Sequence, residues 1–494
     1  MQSPRADDAP ALGWRRDVLI RWGDRVEFDA PPFDPRSPTD DAAATQFGWD
    51  ASVLGAVPMS PGADGIDRLV LAAAHPAAQA RMMFPGGRDR PLLAGLAQGA
   101  SILNLERRDG RWLVADGGFQ ARRLTSHTLC RLAGPVTPLT GDVVQGVLAV
   151  GGGCVTPWGT VLLTEGDPGP WFDRLGKADE IYADPAARAL YGWMVELDPL
   201  DPQALPVKCT ALGRLARAGA AATLAADGRA VVFMTDMRAA GFLFRFVSAE
   251  PAGPAGPGAN RFLLDAGTLS VGVAEDTRLR FVDLPADPTA LAAALDAAIQ
   301  VGAAEFDAPC GVATGTDRAL YLACRGNPLR SRTDAFNPRA GNAAGHVLVF
   351  RPADDDAAGA VWSGDIVLLG GDPAEGGGVY PEGSQAWLAA PSSVGCDAEG
   401  RLWIGTDQQG AISSTADGLF VVTPPGNALT AVYFAPRGAA IGGAVAGSGT
   451  LFTAVRHPGA EPGANFDHPG TGWPGLVPGQ PPQTTLVSLT RSAP

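Results

Sequence analysis

The chain has 494 residues, a formal charge of -14 and an isoelectric point near 4.8. That balance argues against nucleic acid and anionic membrane surfaces as partners, because phosphate backbones and anionic lipids reward clustered Lys and Arg, and no basic run of that density occurs. Hydrophobic residues at 46% point to a folded globule, and 64 Gly with 43 Pro suit many short strands joined by tight turns.

The opening MQSPRADDAP has neither the basic start nor the apolar stretch of a secretory leader, so the chain is either cytoplasmic or has lost a leader. No stretch reaches the ~18 to 20 apolar residues of a membrane helix, so no membrane span is expected. Six cysteines (Cys130, Cys154, Cys209, Cys310, Cys324, Cys396) lie far apart with no CxxC pair, which favours buried free thiols over a metal knuckle; an even count leaves disulfides open.

A short cassette recurs along the chain: a turn pair, an apolar or β-branched strand, and a polar exit. It reads DGRWLVAD at 109–116, WGTVLLTE at 158–165, DGRAVVFMTD at 227–236, DRALYLACR at 317–325, EGRLWIGTD at 399–407 and SGTLFTAVRH at 448–457. Each core suits a buried strand and each preceding Gly a hairpin turn. Six cassettes predict an all-β, six-bladed propeller with loop and short helical insertions, whose unequal spacing reflects insertions on one face. A two-sheet sandwich is the alternative. The whole of 1–494 is expected to form one domain, with residues 1–30 closing or packing on the propeller. A helical insertion is expected over 285–304, Ala- and Leu-rich and capped by Asp287. Segments 249–260 and 354–360 read as surface loops.

Several motifs, in order and nearly from end to end, resemble the PhoX family of bacterial alkaline phosphatases. They are DVLIRWGD at 17–24, MMFPGG at 82–87, TPWGT at 156–160, YGWMVELDPLDP at 191–202, ALGRLARAGAA at 211–221, FLFRFVS at 242–248, LLDAGTLSV at 263–271, FNPRAGNAAGH at 336–346 and RHPG at 456–459. The resemblance implies a six-bladed propeller, export, and phosphomonoester hydrolysis at a cluster of ferric iron and calcium. Export would make the home periplasmic or extracellular.

Such a cluster needs many anionic oxygen ligands, and the departures from the family pattern fall where the resemblance places them. Gly151 stands at the iron-binding cysteine, with Cys154 three residues on as a substitute if the loop shifts. Arg217-Ala218 replaces a His-Glu, Pro309-Cys310-Gly311 a Pro-Glu-Asp, and Ala74-His75-Pro76 an Asn-His-Glu. Pro391-Ser392-Ser393 replaces a Pro-Asp-Asn, and FGWDAS keeps one acid, Asp50, from an acidic and amide-rich run. Glu165 and Asp236 match the family. No metal-ligand set is therefore expected and no cofactor, with calcium and iron returning only if the family activity is retained.

The leading expectation is a non-catalytic binding or assembly component, with a small anion or a protein as partner and the propeller rim as one place for assembly. The alternative is a divergent metal-dependent phosphatase, with Glu165, Asp236 and His457 as catalytic residues. Asp50, His75, Trp158, Arg325, Asp407 and Arg456 are the ligand-binding candidates. For Trp158 an inter-blade core role competes with that assignment, for His75 a structural hydrogen bond, and for Arg325, Arg456 and His457 ion pairing with nearby acids. His346 is expected to brace the strand HVLVF. GxSxG, Walker A, HExxH and CxxC patterns do not occur in the sequence, and GDPAEGGG at 371–378 lacks a strand-to-helix context.

Overall fold

The computed structural model describes residues 2–492 except 61, 255, 409, 411 and 424–427. Six inner strands form a ring, each packed on the next: Ser52–Pro58, Val150–Val155, Arg217–Leu224, Pro309–Thr314, Pro391–Cys396 and Ala440–Gly447. Each leads antiparallel into a second strand, and further strands complete six blades, numbered here from the first of these strands. The protein is a six-bladed β-propeller.

The second strands are Arg68–His75, Val161–Glu165, Arg229–Asp236, Leu320–Cys324, Leu402–Thr406 and Thr450–Arg456, and they are buried along almost their whole length. Covered on both faces by neighbouring blades, they read as continuous apolar runs rather than alternating ones, which is why the cassette stands out. Five of the six cassettes are these second strands. The sixth, DGRWLVAD, is instead the outer strand Arg111–Val114 of blade 1, and RLVLAAAH takes the repeat position there. A turn pair before a short apolar run marks any tight hairpin, so the pattern cannot distinguish the second strand of a blade from the fourth.

Blade 6 is assembled from both ends of the chain. Trp14–Arg21 pairs antiparallel with Thr485–Arg491, so the DVLIRWGD motif is the strand that closes the ring. Blade 2 is widened by Leu129–Ala133, which pairs in parallel with Val207–Cys209, and by Val143–Gln145. Blades 3 and 4 share one continuous sheet through Arg278–Asp283 and Val361–Leu369. The insertion near 285–304 forms two short helices, Pro288–Ala292 and Ala294–Gln300, interrupted at Ala293. The Asp287 carboxylate accepts from the Thr289 and Ala290 amides and caps the first. The segment 354–360 is loop; in 249–260 the strand Leu243–Pro251 runs on before the loop begins, and Ala255 lies outside the described residues. His346 is fully buried between Asn342 and the Phe336 carbonyl at the start of His346–Pro352, so it does brace that strand.

Glycine closes the ring. Gly55, Gly152, Gly219, Gly311, Gly395 and Gly443 each sit so close to the next inner strand that an added methyl group would overlap it. The register also shifts by a bulge at the start of every inner strand. Bulges add twist and re-aim side chains, which here brings six strands to one narrow axis. Among the described residues no helix is long and apolar enough to cross a membrane, and all six cysteines are free.

Candidate functional site

The second strands all run toward one face of the propeller, and seven sequence candidates lie at their ends, one in each of blades 1 to 5 and two in blade 6: His75, Glu165, Asp236, Arg325, Asp407, Arg456 and His457. Asp50, just before the first inner strand, joins them. Trp158 lies at the opposite face, in the turn that opens Val161–Glu165. There its indole donates to Glu196 Oε1 at 2.9 Å while the ring packs into the main core.

Below this mouth runs an axial tunnel of about 300 Å³. Gly151, Ala218, Gly311, Ser392 and Ser393, at positions where the family resemblance places ligands, all line it. None carries a carboxylate. Cys154 also lines it, and burial pushes its thiol up to about 12. Arg217 turns away: its guanidinium is buried and donates to the carbonyls of Leu212 and Gly192, each at 2.8 Å, of Leu215 at 3.3 Å, and of Gly213. Burial lowers it to about 9, and Glu165 opposes that shift.

The acids at the mouth are each paired with a protein cation. Glu165 is fully buried; Oε1 accepts from Lys208 Nζ at 2.8 Å and from the Leu148 amide at 3.0 Å, and Oε2 from the amides of Gly192 and Trp193 at 2.9 and 3.2 Å. The Lys208 ammonium also lies 3.9 Å from the Tyr191 ring centroid. Asp236 accepts from Arg238 Nε at 2.6 Å, which only partly offsets the rise that burial causes in its carboxyl. Asp50 is gripped by Arg456 at two points, 2.8 and 2.9 Å, and this pairing holds its carboxyl below the usual range against the opposing effect of burial. Asp407 lies 3.4 Å from Arg456 and 3.7 Å from Arg325, and its Oδ1 is buried without a hydrogen-bond partner among the described residues. Asp50, Arg456, Asp407 and Arg325 thus form one chain of charge across blades 1, 6, 5 and 4.

The two mouth histidines are held by their surroundings. His75 Nδ1 donates to the Asp50 carbonyl at 2.7 Å, and its Nε2 accepts from Ser101 at 2.7 Å. Burial, then the nearby Arg123, push it well below its ordinary value, so it is neutral. His457 takes a positive φ of 33°, and its Nδ1 donates to the Gly438 carbonyl at 3.1 Å. The non-glycine residues Asp50, Ala149, Ala308 and Ala390 likewise hold positive φ just ahead of four inner strands, each at a cost of about 1–2 kcal/mol. Strain of this kind collects at functional mouths and is kept where the surroundings over-determine the backbone.

Sequence reasoning missed the cations that matter most, Lys208 and Arg238. Lys208 is one of two lysines in the chain and the middle residue of the short strand Val207–Cys209, a signal that marks it as unusual without naming its partner.

The description Alkaline phosphatase PhoX matches residues 6–466. The chain belongs to the PhoX family. The structure of Pseudomonas fluorescens PhoX in complex with vanadate, a transition-state analogue, is similar to this PhoX-family chain at 26% identity and a TM-score of 0.91, covering 99% of this chain and 97% of that one. A gluconolactonase from Xanthomonas campestris (13% identity, TM-score 0.36, 100% and 97% coverage) and virginiamycin B lyase from Staphylococcus aureus (10%, 0.35, 97% and 99%) are far more distant. No curated protein sequence matches.

The iron and calcium that the family implies do not fit this donor set. Among the described residues no three His, Cys, Asp or Glu side chains are grouped to hold a metal ion, and four mouth carboxylates are already paired with Lys or Arg. A hard, highly charged cluster needs those oxygens free.

Proposed function

We propose that this PhoX-family propeller is an exported binding or assembly component whose mouth is held together by side-chain cations. The pairing of Glu165 with Lys208, Asp236 with Arg238, and Asp50 and Asp407 with Arg456 carries this reading. Lysine and arginine supply in place the positive charge that buried carboxylates need, so the fold does not depend on metal for charge balance. Arg325, with its side chain 40% exposed, keeps donors free toward solvent, which suits a small anion or an acidic group of a protein partner. Family resemblance supports a periplasmic or extracellular location; fractionation of the source cell tests it.

Elemental analysis of untagged protein, with turnover of an aryl phosphate in calcium and iron, is the direct experiment. Substoichiometric metal and no turnover are expected. Stoichiometric iron and calcium with phosphate release overturn the reading.

The second reading is a divergent metal-dependent phosphatase, favoured by the 26% identity to the vanadate-bound PhoX over 99% of the chain. It predicts metal-dependent phosphate release that Glu165→Ala abolishes. An unchanged rate in that variant removes it.

A further inference from the structure

On the face opposite the mouth, a cavity of about 390 Å³ opens at the base of blade 2. The strand Val161–Glu165 separates the two sites, with Thr160 at the cavity end and Glu165 at the mouth, roughly 16 Å apart at ~3.3 Å per residue. The volume is that of a small-molecule site. Ala204, Leu205 and Val207 form an apolar wall, and charged groups of both signs converge on the rest.

The central group is Glu196. It is only 8% exposed, yet it lines the cavity. Its Oε1 is taken twice, by the Trp158 indole at 2.9 Å and the Thr160 hydroxyl at 2.7 Å. No donor among the described residues reaches Oε2. Burial, reinforced by the neighbouring Asp265 and Asp198, holds its carboxyl above the usual range. Oε2 is therefore the oxygen that opens to the cavity, where a bound N–H or O–H can donate to it.

Asp198 and Asp201 stand beside it. Asp198 Oδ1 accepts from the Leu200 and Asp201 amides and Asp201 Oδ1 from the Gln203 amide, which leaves one oxygen of each without a partner among the described residues. Arg131 and Arg261 also line the cavity, and neither forms a salt bridge among the described residues. Arg261 lies 5.3 Å from the Phe262 ring centroid, and Arg131 acts electrostatically on Asp265. The cavity therefore offers an acceptor set, a guanidinium set and an apolar wall.

We infer that this cavity binds a small zwitterion of the amino-acid class. Its ammonium faces Glu196 Oε2 with Asp198 and Asp201, its carboxylate faces Arg131 and Arg261, and its apolar side chain lies on Leu205 and Val207. A simple amine leaves the guanidinium groups unanswered, and a simple carboxylate leaves Glu196 unanswered.

Calorimetric titration of the full chain with L-leucine, isoamylamine and 4-methylpentanoate tests this. Leucine is expected to bind at least tenfold more tightly than either of the others, and Glu196→Gln to weaken it at least tenfold. The substituted amide retains an acceptor for Trp158 and Thr160; should that variant misfold, Arg261→Ala at the exposed rim is expected to weaken leucine severalfold while unfolding at the parent temperature. Absence of leucine binding, equal binding of either single-charge analogue, or binding unchanged in the folded variants overturns the proposal. Mouth variants such as Arg325→Ala are expected to leave leucine binding untouched, so this result and the reading of the mouth stand or fall separately.

Discussion

Arg456 grips Asp50 across 406 residues of sequence, Nε on Oδ1 at 2.8 Å and Nη2 on Oδ2 at 2.9 Å. The contact joins the last blade to the first and also touches Asp407 of the fifth. Removing one partner of a buried ion pair leaves the other uncompensated, at about 3–5 kcal/mol. Arg456→Met is therefore expected to lower the midpoint of denaturant unfolding strongly. Asp50→Asn combined with Arg456→Met is expected to recover part of the loss, and an additive double variant would mean that the two side chains do not act as a pair.

The Lys208–Glu165 pair obeys the same rule in a drier setting, with side-chain exposures of 0% and 1%. Lys208→Met is expected to cost about 3–5 kcal/mol and Glu165→Gln less, since Gln retains an acceptor and a similar shape. Thermal unfolding of the single and double variants measures the coupling. If Lys208→Met bound stoichiometric calcium at Glu165, the ammonium would be shown to occupy a latent metal position.

Asp417 sets a pH dependence. Burial is the main cause, and neighbouring Asp407 adds to it, of a carboxyl raised from 3.8 to about 7 against the lowering effect of hydrogen bonds from Thr406 and Gln408. Between those values the folded chain holds a proton that the unfolded chain has lost. The protonated form's stabilisation is therefore complete below pH 3.8 and lost as pH rises to 7, by at most about 4 kcal/mol at ~1.4 kcal/mol per unit. Asp417→Asn is expected to remove this slope in urea unfolding measured from about pH 5 to 8. A parallel slope in parent and variant would assign it elsewhere.

The ring of glycines gives a contrast within one strand. Gly443 holds φ +76° and a methyl there would overlap Val53 of blade 1, whereas Gly447 in the same strand faces open space. Gly443→Ala is expected to destabilise by more than the ~1–2 kcal/mol of left-handed strain alone, and Gly447→Ala to stay within about 0.5 kcal/mol of the parent or above it. Equal effects in thermal unfolding would disprove the close approach of blades 6 and 1.

Much of the fold is written in local pattern. The runs VLLTE, AVVFMTD, LYLAC and LWIGT declare buried strands because a second blade strand is covered on both faces, and Asp287 announces its helix because a cap acts within three residues. The positions of Glu165, Asp236, Arg325, Asp407 and Arg456 at strand ends were legible for the same reason, as was the absence of carboxylates at Gly151, Ala218 and Ser392. Local pattern could not show that DGRWLVAD is an outer strand, since every tight hairpin looks alike from inside its own sequence. Nor could it show what each charge touches: Lys208 reaches Glu165 from 43 residues away and Arg456 reaches Asp50 from the far end of the chain. Periodicity records which face a side chain turns toward the core, whereas charge pairing depends on which blades the closed ring sets side by side. That is decided only when the first and last strands meet.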